Sequence, residues 1–298
     1  MDDVIVVGVD GSAPARHAAR WAGDLAAAEG CGVRLVHGYL HPMSYAVPFG
    51  PYPMVEPEAG RAAAALVASA AADLRAAHPD LVVEERVEPS AGGPALVDAS
   101  AGARLLVVGR RGVGGFAHLL LGSVSSGVAV RAHCSVAVVH EGDAPADPAA
   151  PVVVGVDGSA GGAAAARWAA RAAHRRGARL ELVHAWWASP YVGLTLSDDE
   201  AQRAARARAD AVLADTLAAV AAELPELAVG VRPVHTLNAA EALIDAGSSA
   251  ALLVVGPRGH SALTGLLVGS VTQSVLQHAA VPVVVARADP APPAEPAP

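Results

Sequence analysis

The stretch "GRRGVGGFAHLLLGS", Gly109 to Ser123, returns as "GPRGHSALTGLLVGS", Gly256 to Ser270. Each copy reads glycine, two residues, glycine, nine residues, Gly-Ser, and an apolar run leads into each first glycine. The copies lie 147 residues apart, and so do Asp10 and Asp157, Arg20-Trp21 and Arg167-Trp168, and His37 and His184. A period this long is the size of a domain, not of a solenoid repeat. The chain therefore divides into two domains of like fold: 1–141, a linker at 142–151, a second domain at 152–287, and a Pro-rich tail at 288–298 expected to be disordered.

Within each half, apolar runs alternate with Ala-rich segments. Val4–Val9, Leu105–Val108 and Val136–Val139 are apolar on both faces, as are Val152–Val156, Leu252–Val255 and Val281–Val285. Such runs suit parallel strands covered by helices on both sides. Val33–His37 and Leu180–His184 supply second strands; Leu81–Val87 and Val229–His235, more polar, supply third strands. Ser12 with Pro14 opens a helix running to Glu29, and Glu58–His78 and Asp198–Leu224 give longer amphipathic helices. The fold expected is α/β: two tandem doubly wound, Rossmann-like domains. Met43–Pro57 and Trp186–Leu196 occupy matching places, each readable as a flap or as a surface connection.

Composition removes several chemistries. The 298 residues carry 21 basic and 29 acidic side chains, a net charge of −8, which argues against nucleic acid and anionic membrane as partners. Every basic residue is arginine. Without lysine there is no Walker-A lysine, Schiff base or lysine general base. Cys31 and Cys134 have neither metal-ligand nor disulfide spacing and read as buried apolar residues of a reducing, cytoplasmic compartment. The opening "MDDVIVV" is acidic with a short apolar run, unlike a signal peptide. The uncharged segment Gly259–Ala286 contains Pro282, Gln273, Gln277 and two histidines, and reads as loop, helix and strand instead of a membrane span.

In a doubly wound sheet, ligands bind at the carboxyl ends of strands where the strand order reverses. Gly109 and Gly112 fall at one such end and Asp10 at another, while Gly122-Ser123 opens the following helix. Glycines admit an anion close to the backbone, helix-start N–H groups bind phosphate, and Ser123, Arg110, Arg111 and Arg258 can add donors. A lone copy of this pattern would merely shape a turn; two at identical spacing make a lysine-free phosphate cradle the better reading. Asp10 and Asp157 each start Asp-Gly-Ser, which on its own reads first as a turn with a helix cap; opposite a phosphate cradle the carboxylate would suit an adenine amino group or a ribose hydroxyl. His37 and His184 read as packed, hydrogen-bonded histidines, with no Ser/His/Asp or metal spacing around them.

These residues resemble the universal stress protein family in its tandem, ATP-binding form. The G-x₂-G-x₉-G-[S/T] signature, the early Asp after the first strand and the "LVH" of the second carry the resemblance across both halves. The resemblance implies five parallel strands per domain in the order 3-2-1-4-5. It also implies ATP, with or without Mg²⁺, held between the first and fourth strands. Carried over by position, Gly8, Val9 and Asp10 would line the adenine side, and Gly109, Arg111, Gly112, Gly122, Ser123, Val124 and Ser125 would hold ribose and phosphates. The second set is Gly155, Val156 and Asp157, with Gly256, Arg258, Gly259, Gly269, Ser270, Val271 and Thr272. Members often have an aliphatic residue after the strand-two histidine, touching adenine. Here those positions are Gly38 and Ala185, which keep the backbone contact and offer less side-chain packing, least in the first half.

The function expected is nucleotide-dependent regulation of growth or stress response, without catalysis. Its partners would be ATP, the second domain of the same chain and an unidentified protein, and a homodimer of tandem chains is admitted. A weak ATPase using Asp10 or Asp157, and a scaffold of the same fold that binds no nucleotide, are the alternatives.

Overall fold

The computed structural model describes residues 3–39, 57–113, 120–140, 150–188, 198–259 and 268–288. The flap candidates at 43–56 and 189–196, most of the linker and the tail beyond 288 lie outside them.

The first repeat runs β1 (Val4–Gly8), α1 (Ala13–Glu29), β2 (Gly32–Gly38), α2 (Pro57–Ala77), β3 (Val83–Glu88), α3 (Gly92–Ala99), β4 (Leu105–Gly109), α4 (Ser123–Arg131) and β5 (Val136–Val139). The second repeats it: β6 (Val152–Gly155), α5 (Ala160–Arg176), β7 (Leu180–Trp186), α6 (Asp198–Glu223), β8 (Val229–His235), α7 (Ala239–Gly247), β9 (Leu252–Val255), α8 (Ser270–His278) and β10 (Val283–Val285). By its contacts the chain divides into two units. One is Met1–Asp147 with Gln273–Val284; the other is Pro148–Thr272 with Val285–Pro298. The segment carrying most of α8 and β10 thus groups with the first unit, although by sequence it closes the second repeat.

The first repeat's strands lie in the order β3-β2-β1-β4-β5, and β8-β7-β6-β9 follow the same order in the second. The pairings β1–β2, β1–β4, β2–β3 and β4–β5 are parallel, as are β6–β7, β6–β9 and β7–β8. Parallel neighbours require crossovers, which are almost always right-handed. The reversal of direction after β3 therefore sends α1 and α2 to one face and α3 and α4 to the other. The contacts agree: α1 packs with α2, and α3 with α4. Both faces being covered, the central strands are largely buried; Ile5, Leu35 and Leu106, and Leu182 and Leu253, have no exposed surface. Each such side chain contributes about 1.5–3 kcal/mol. The third strands are half-exposed edges, which explains their polar sequences.

Local signals set the first helix of each repeat. Ser12 Oγ accepts from Ala15 N at 3.2 Å, and Ser159 Oγ from Gly162 N at 3.0 Å. Gly30 and Gly177 end these helices at φ 68° and 63°, the left-handed region where a side chain is strained. Two helices, α3 and α7, were not among the expected segments. The last strand is also shorter than expected, Val283–Val285 in place of Val281–Val285, because Pro282 cannot donate to a ladder.

Candidate functional site

Strand order reverses between β1 and β4, and again between β6 and β9. At the carboxyl ends of each pair lies a cavity, about 260 Å³ in the first repeat and about 300 Å³ in the second. Of the first-repeat residues singled out by sequence, Gly8, Val9 and Asp10 come from the end of β1, and Gly38 from β2. Gly109, Arg111 and Gly112 follow β4, and Gly122, Ser123, Val124 and Ser125 open α4. All of them line the first cavity. Their counterparts line the second: Gly155, Val156 and Asp157; Ala185; Gly256, Arg258 and Gly259; Gly269, Ser270, Val271 and Thr272.

The signature glycines have separate physical reasons. A Cβ on Gly109 would lie 2.7 Å from Pro14 C and 2.8 Å from its O, so β4 can meet the start of α1 only as glycine. At Gly256 the obstacle is the backbone of Gly161, at 2.8 Å. A Cβ on Gly112 would overlap Asp10 Oδ2, and one on Gly259 would overlap Asp157 Oδ2. Gly122 closes the base of the loop, its N–H donating to Arg110 O at 2.9 Å, as Gly269 N–H does to Pro257 O. These roles are structural before any ligand is considered, and they set the cavity's shape.

Asp10 spans the cleft. Its Oδ1 accepts from Ser12 N at 3.0 Å and its Oδ2 from Val113 N at 2.9 Å, tying the end of β1 to the glycine loop. In the second repeat, Asp157 Oδ1 accepts from Ser159 N at 3.0 Å and from Ser159 Oγ at 2.6 Å. Arg110 steadies the first loop from below, its Nε donating to Leu120 O at 2.6 Å.

One end of the cavity is formed by the start of α4. Gly122 is its N-cap and no side chain caps it; the first intrahelical donor is Ser126 N, to Gly122 O at 2.9 Å. The N–H groups of Ser123, Val124 and Ser125 therefore precede the helical ladder, where the helix dipole adds partial positive charge. Here α4 contrasts with α1, whose first turn is capped by Ser12. Ser123 and Arg111 are exposed at the cavity. Ser125 is not an outward donor: its buried Oγ donates to Gly109 O at 2.7 Å, and Thr272 Oγ1 likewise to Gly256 O at 2.8 Å. These two hydroxyls tie the helix start to Gly109 and Gly256 and are spent on those carbonyls.

Sequence reasoning missed the floor and far wall. Gly92 and Leu96 of α3 line the first cavity, and Ala239 and Leu243 of α7 the second. The Leu96 side chain lies where a Cβ on Gly8 would be, at 2.8 Å, and Leu243 does the same at Gly155, at 2.7 Å. A signal was present: "ALVDA" at Ala95–Ala99 returns as "ALIDA" at Ala242–Ala246, again 147 residues on. His37 and His184 also line the cavities, each with Nδ1 2.7 Å from a carbonyl, that of Val9 or Val156. A carbonyl only accepts, so Nδ1 carries the proton in both rings. Among the described residues no group of three or more His, Cys, Asp or Glu could hold a metal, and no helix is long and apolar enough to cross a membrane.

Fold and site together define a tandem α/β protein with a glycine-loop cavity at each switch point. The chain belongs to the universal stress protein family: the family's model matches residues 1–140 and again 149–287. It is 38% identical over 291 residues to universal stress protein Rv2005c of Mycobacterium tuberculosis (strain ATCC 25618 / H37Rv), covering 95% of this chain and 96% of that protein. Universal stress protein Rv2623 of the same strain is 38% identical over 293 residues, with the same coverage. Among solved structures, a universal stress protein from Archaeoglobus fulgidus DSM 4304 superposes with a TM-score of 0.67 over 97% of both chains at 19% identity, a likeness of fold.

Proposed function

We propose that this protein is a regulator that binds ATP in the cavities of two domains, 1–141 and 152–287, and acts through occupancy, without turnover, in the cytoplasm. The observation carrying this reading is the uncapped start of α4, whose N–H groups open onto a cavity walled by Asp10 and free of lysine. Such a cradle must hold phosphate through backbone donors, Ser123 and Arg111. Asp10 is the single carboxylate among the described residues lining the first cavity, and both its oxygens already accept N–H bonds. That suits holding a base or sugar in place; it is a poor arrangement for activating water.

Isothermal titration of ATP, with and without Mg²⁺, against the wild type and an Asp10→Ala/Asp157→Ala double variant tests the reading. The wild type should bind, the double variant at least 10-fold more weakly, and no ADP should accumulate above background. Absence of wild-type binding sinks the proposal, and steady ADP production abolished by the double substitution would replace it with an ATPase.

A further inference from the structure

The two cavities are lined by matching residues at their glycine-loop ends and differ at their far ends, where the strands slip by one residue. In β3, Glu88 pairs with Gly38; in β8 the residue pairing with Ala185 is Val234. Glu88 and Val234 are 146 residues apart, while the helices that follow return to the 147-residue period. Counted from these paired residues, three positions, 89–91, precede α3 and four, 235–238, precede α7, the first of the four being His235, which still belongs to β8 and pairs with Trp186. The shorter link draws α3 onto the end of β2. A Cβ on Gly38 would lie 2.7 Å from both Ser90 O and Gly92 Cα, and 2.9 Å from Gly92 N. In the second repeat the same position carries a real methyl, Ala185, and Ala239 stands where the first repeat has Gly92. The two cavities are of similar size, about 260 and 300 Å³, so the difference lies in what forms their far walls.

The link's chemistry differs too. In the second repeat Asn238 caps α7, accepting from Glu241 N at 3.2 Å and donating from Nδ2 to Glu241 Oε2 at 3.1 Å. At the first, Ala91 stands in that place and makes no side-chain cap. The stretch before α7 is thus built as a capped turn. Directly after Ala185, Trp186 stacks on His235 with ring centroids 4.4 Å apart.

Building on the ATP reading above, we propose that the sites are unequal by construction. The second repeat seats the whole purine nucleotide. The first engages phosphate and sugar but has backbone where the far side of the base would pack. The specificity-determining features are Gly38 with the Ser90–Gly92 backbone in the first repeat, and Ala185 with the four-residue link in the second.

Calorimetric titration with ATP and, separately, with inorganic tripolyphosphate reads this directly, using wild type, Gly112→Val and Gly259→Val, each verified as folded by circular dichroism. ATP should bind the wild type in two phases at least 10-fold apart in Kd, the tight one lost in Gly259→Val and kept in Gly112→Val. Tripolyphosphate, which has no base, should bind the two sites within about 3-fold of each other. A second readout avoids those glycines. Trp186 and Trp187 occupy the positions of Tyr39 and Leu40 in the first repeat. Wild-type tryptophan fluorescence should therefore change with the tight ATP phase and lose that response in Trp186→Phe/Trp187→Phe. Equal ATP affinities, or a tight phase lost with Gly112→Val, overturn the inequality while leaving ATP binding intact. If ATP binds neither site, the nucleotide reading fails and this inference falls with it.

Discussion

His140 follows β5 with 5% of its surface exposed. Burial, and secondarily the nearby Arg110 guanidinium, hold its pKa down to about 4. In the unfolded chain an imidazole titrates near 6.5. Between those values the unfolded state takes up a proton that the folded state refuses, so stability present above pH 6.5 is lost as pH falls toward 4. The slope approaches 1.4 kcal/mol per pH unit, or roughly 2 kcal/mol between pH 7 and 5. Urea denaturation of wild type and His140→Gln at pH 7, 6 and 5 should show the wild type losing that much more than the variant. Parallel losses in the two proteins would contradict it. Arg110 also grips Leu120 O in the glycine loop, so one arginine touches both this buried ring's field and the site. From sequence Arg110 read only as a candidate phosphate donor; its place near His140 depends on where β5 lies beside β4. The same limit applied to Ser125 and Thr272. Their spacing from the glycines was readable, but whether the hydroxyl points at a ligand or back to a strand carbonyl is a rotamer choice set by packing.

Among the elements, the helices with explicit caps were the most legible. Ser12 announces α1; Ser159 is its counterpart at α5, and removing Ser159 Oγ frees Gly162 N and one acceptor bond of Asp157 together. Ser159→Ala should therefore cost about 1–2 kcal/mol of stability by chemical denaturation. Gly109→Ala should be of similar size or worse, because its methyl meets the Pro14 backbone at 2.7 Å, which cannot rotate away. A Gly109→Ala variant as stable as the wild type would refute the packing role assigned to this glycine. By contrast α3 was hidden. It starts Gly92-Gly93-Pro94, residues that on their own signal a turn, and its 8 residues are too few to show a helical period. The β8 slip was hidden for another reason. Half-exposed edge strands alternate weakly, and a shift of one residue reverses which face each side chain takes without leaving a mark in composition.

At the scale of the whole molecule, repetition made the fold readable: one period of 147 residues doubled every strand signal. It also concealed the difference between the copies, since shared anchors draw attention to what is equal. Ligand linkage exposes such a difference in the intact chain. A ligand bound only by the folded state adds RT ln(1 + [L]/Kd) per site, about 2.7 kcal/mol at 100-fold Kd. Stability by urea denaturation should therefore rise with ln[ATP]. If the repeats unfold together, the slope should go from RT to 2RT as the weaker site fills. If they unfold in separate transitions, each should carry its own RT, with the second repeat responding at lower ATP. In Asp157→Ala the low-concentration rise should disappear and only the high-concentration one remain; Asp10→Ala should show the reverse. A wild-type slope that stays at zero through millimolar ATP would remove the nucleotide reading. A single onset for both sites would instead leave ATP binding standing and require the far ends of the two cavities to matter less than their geometry indicates.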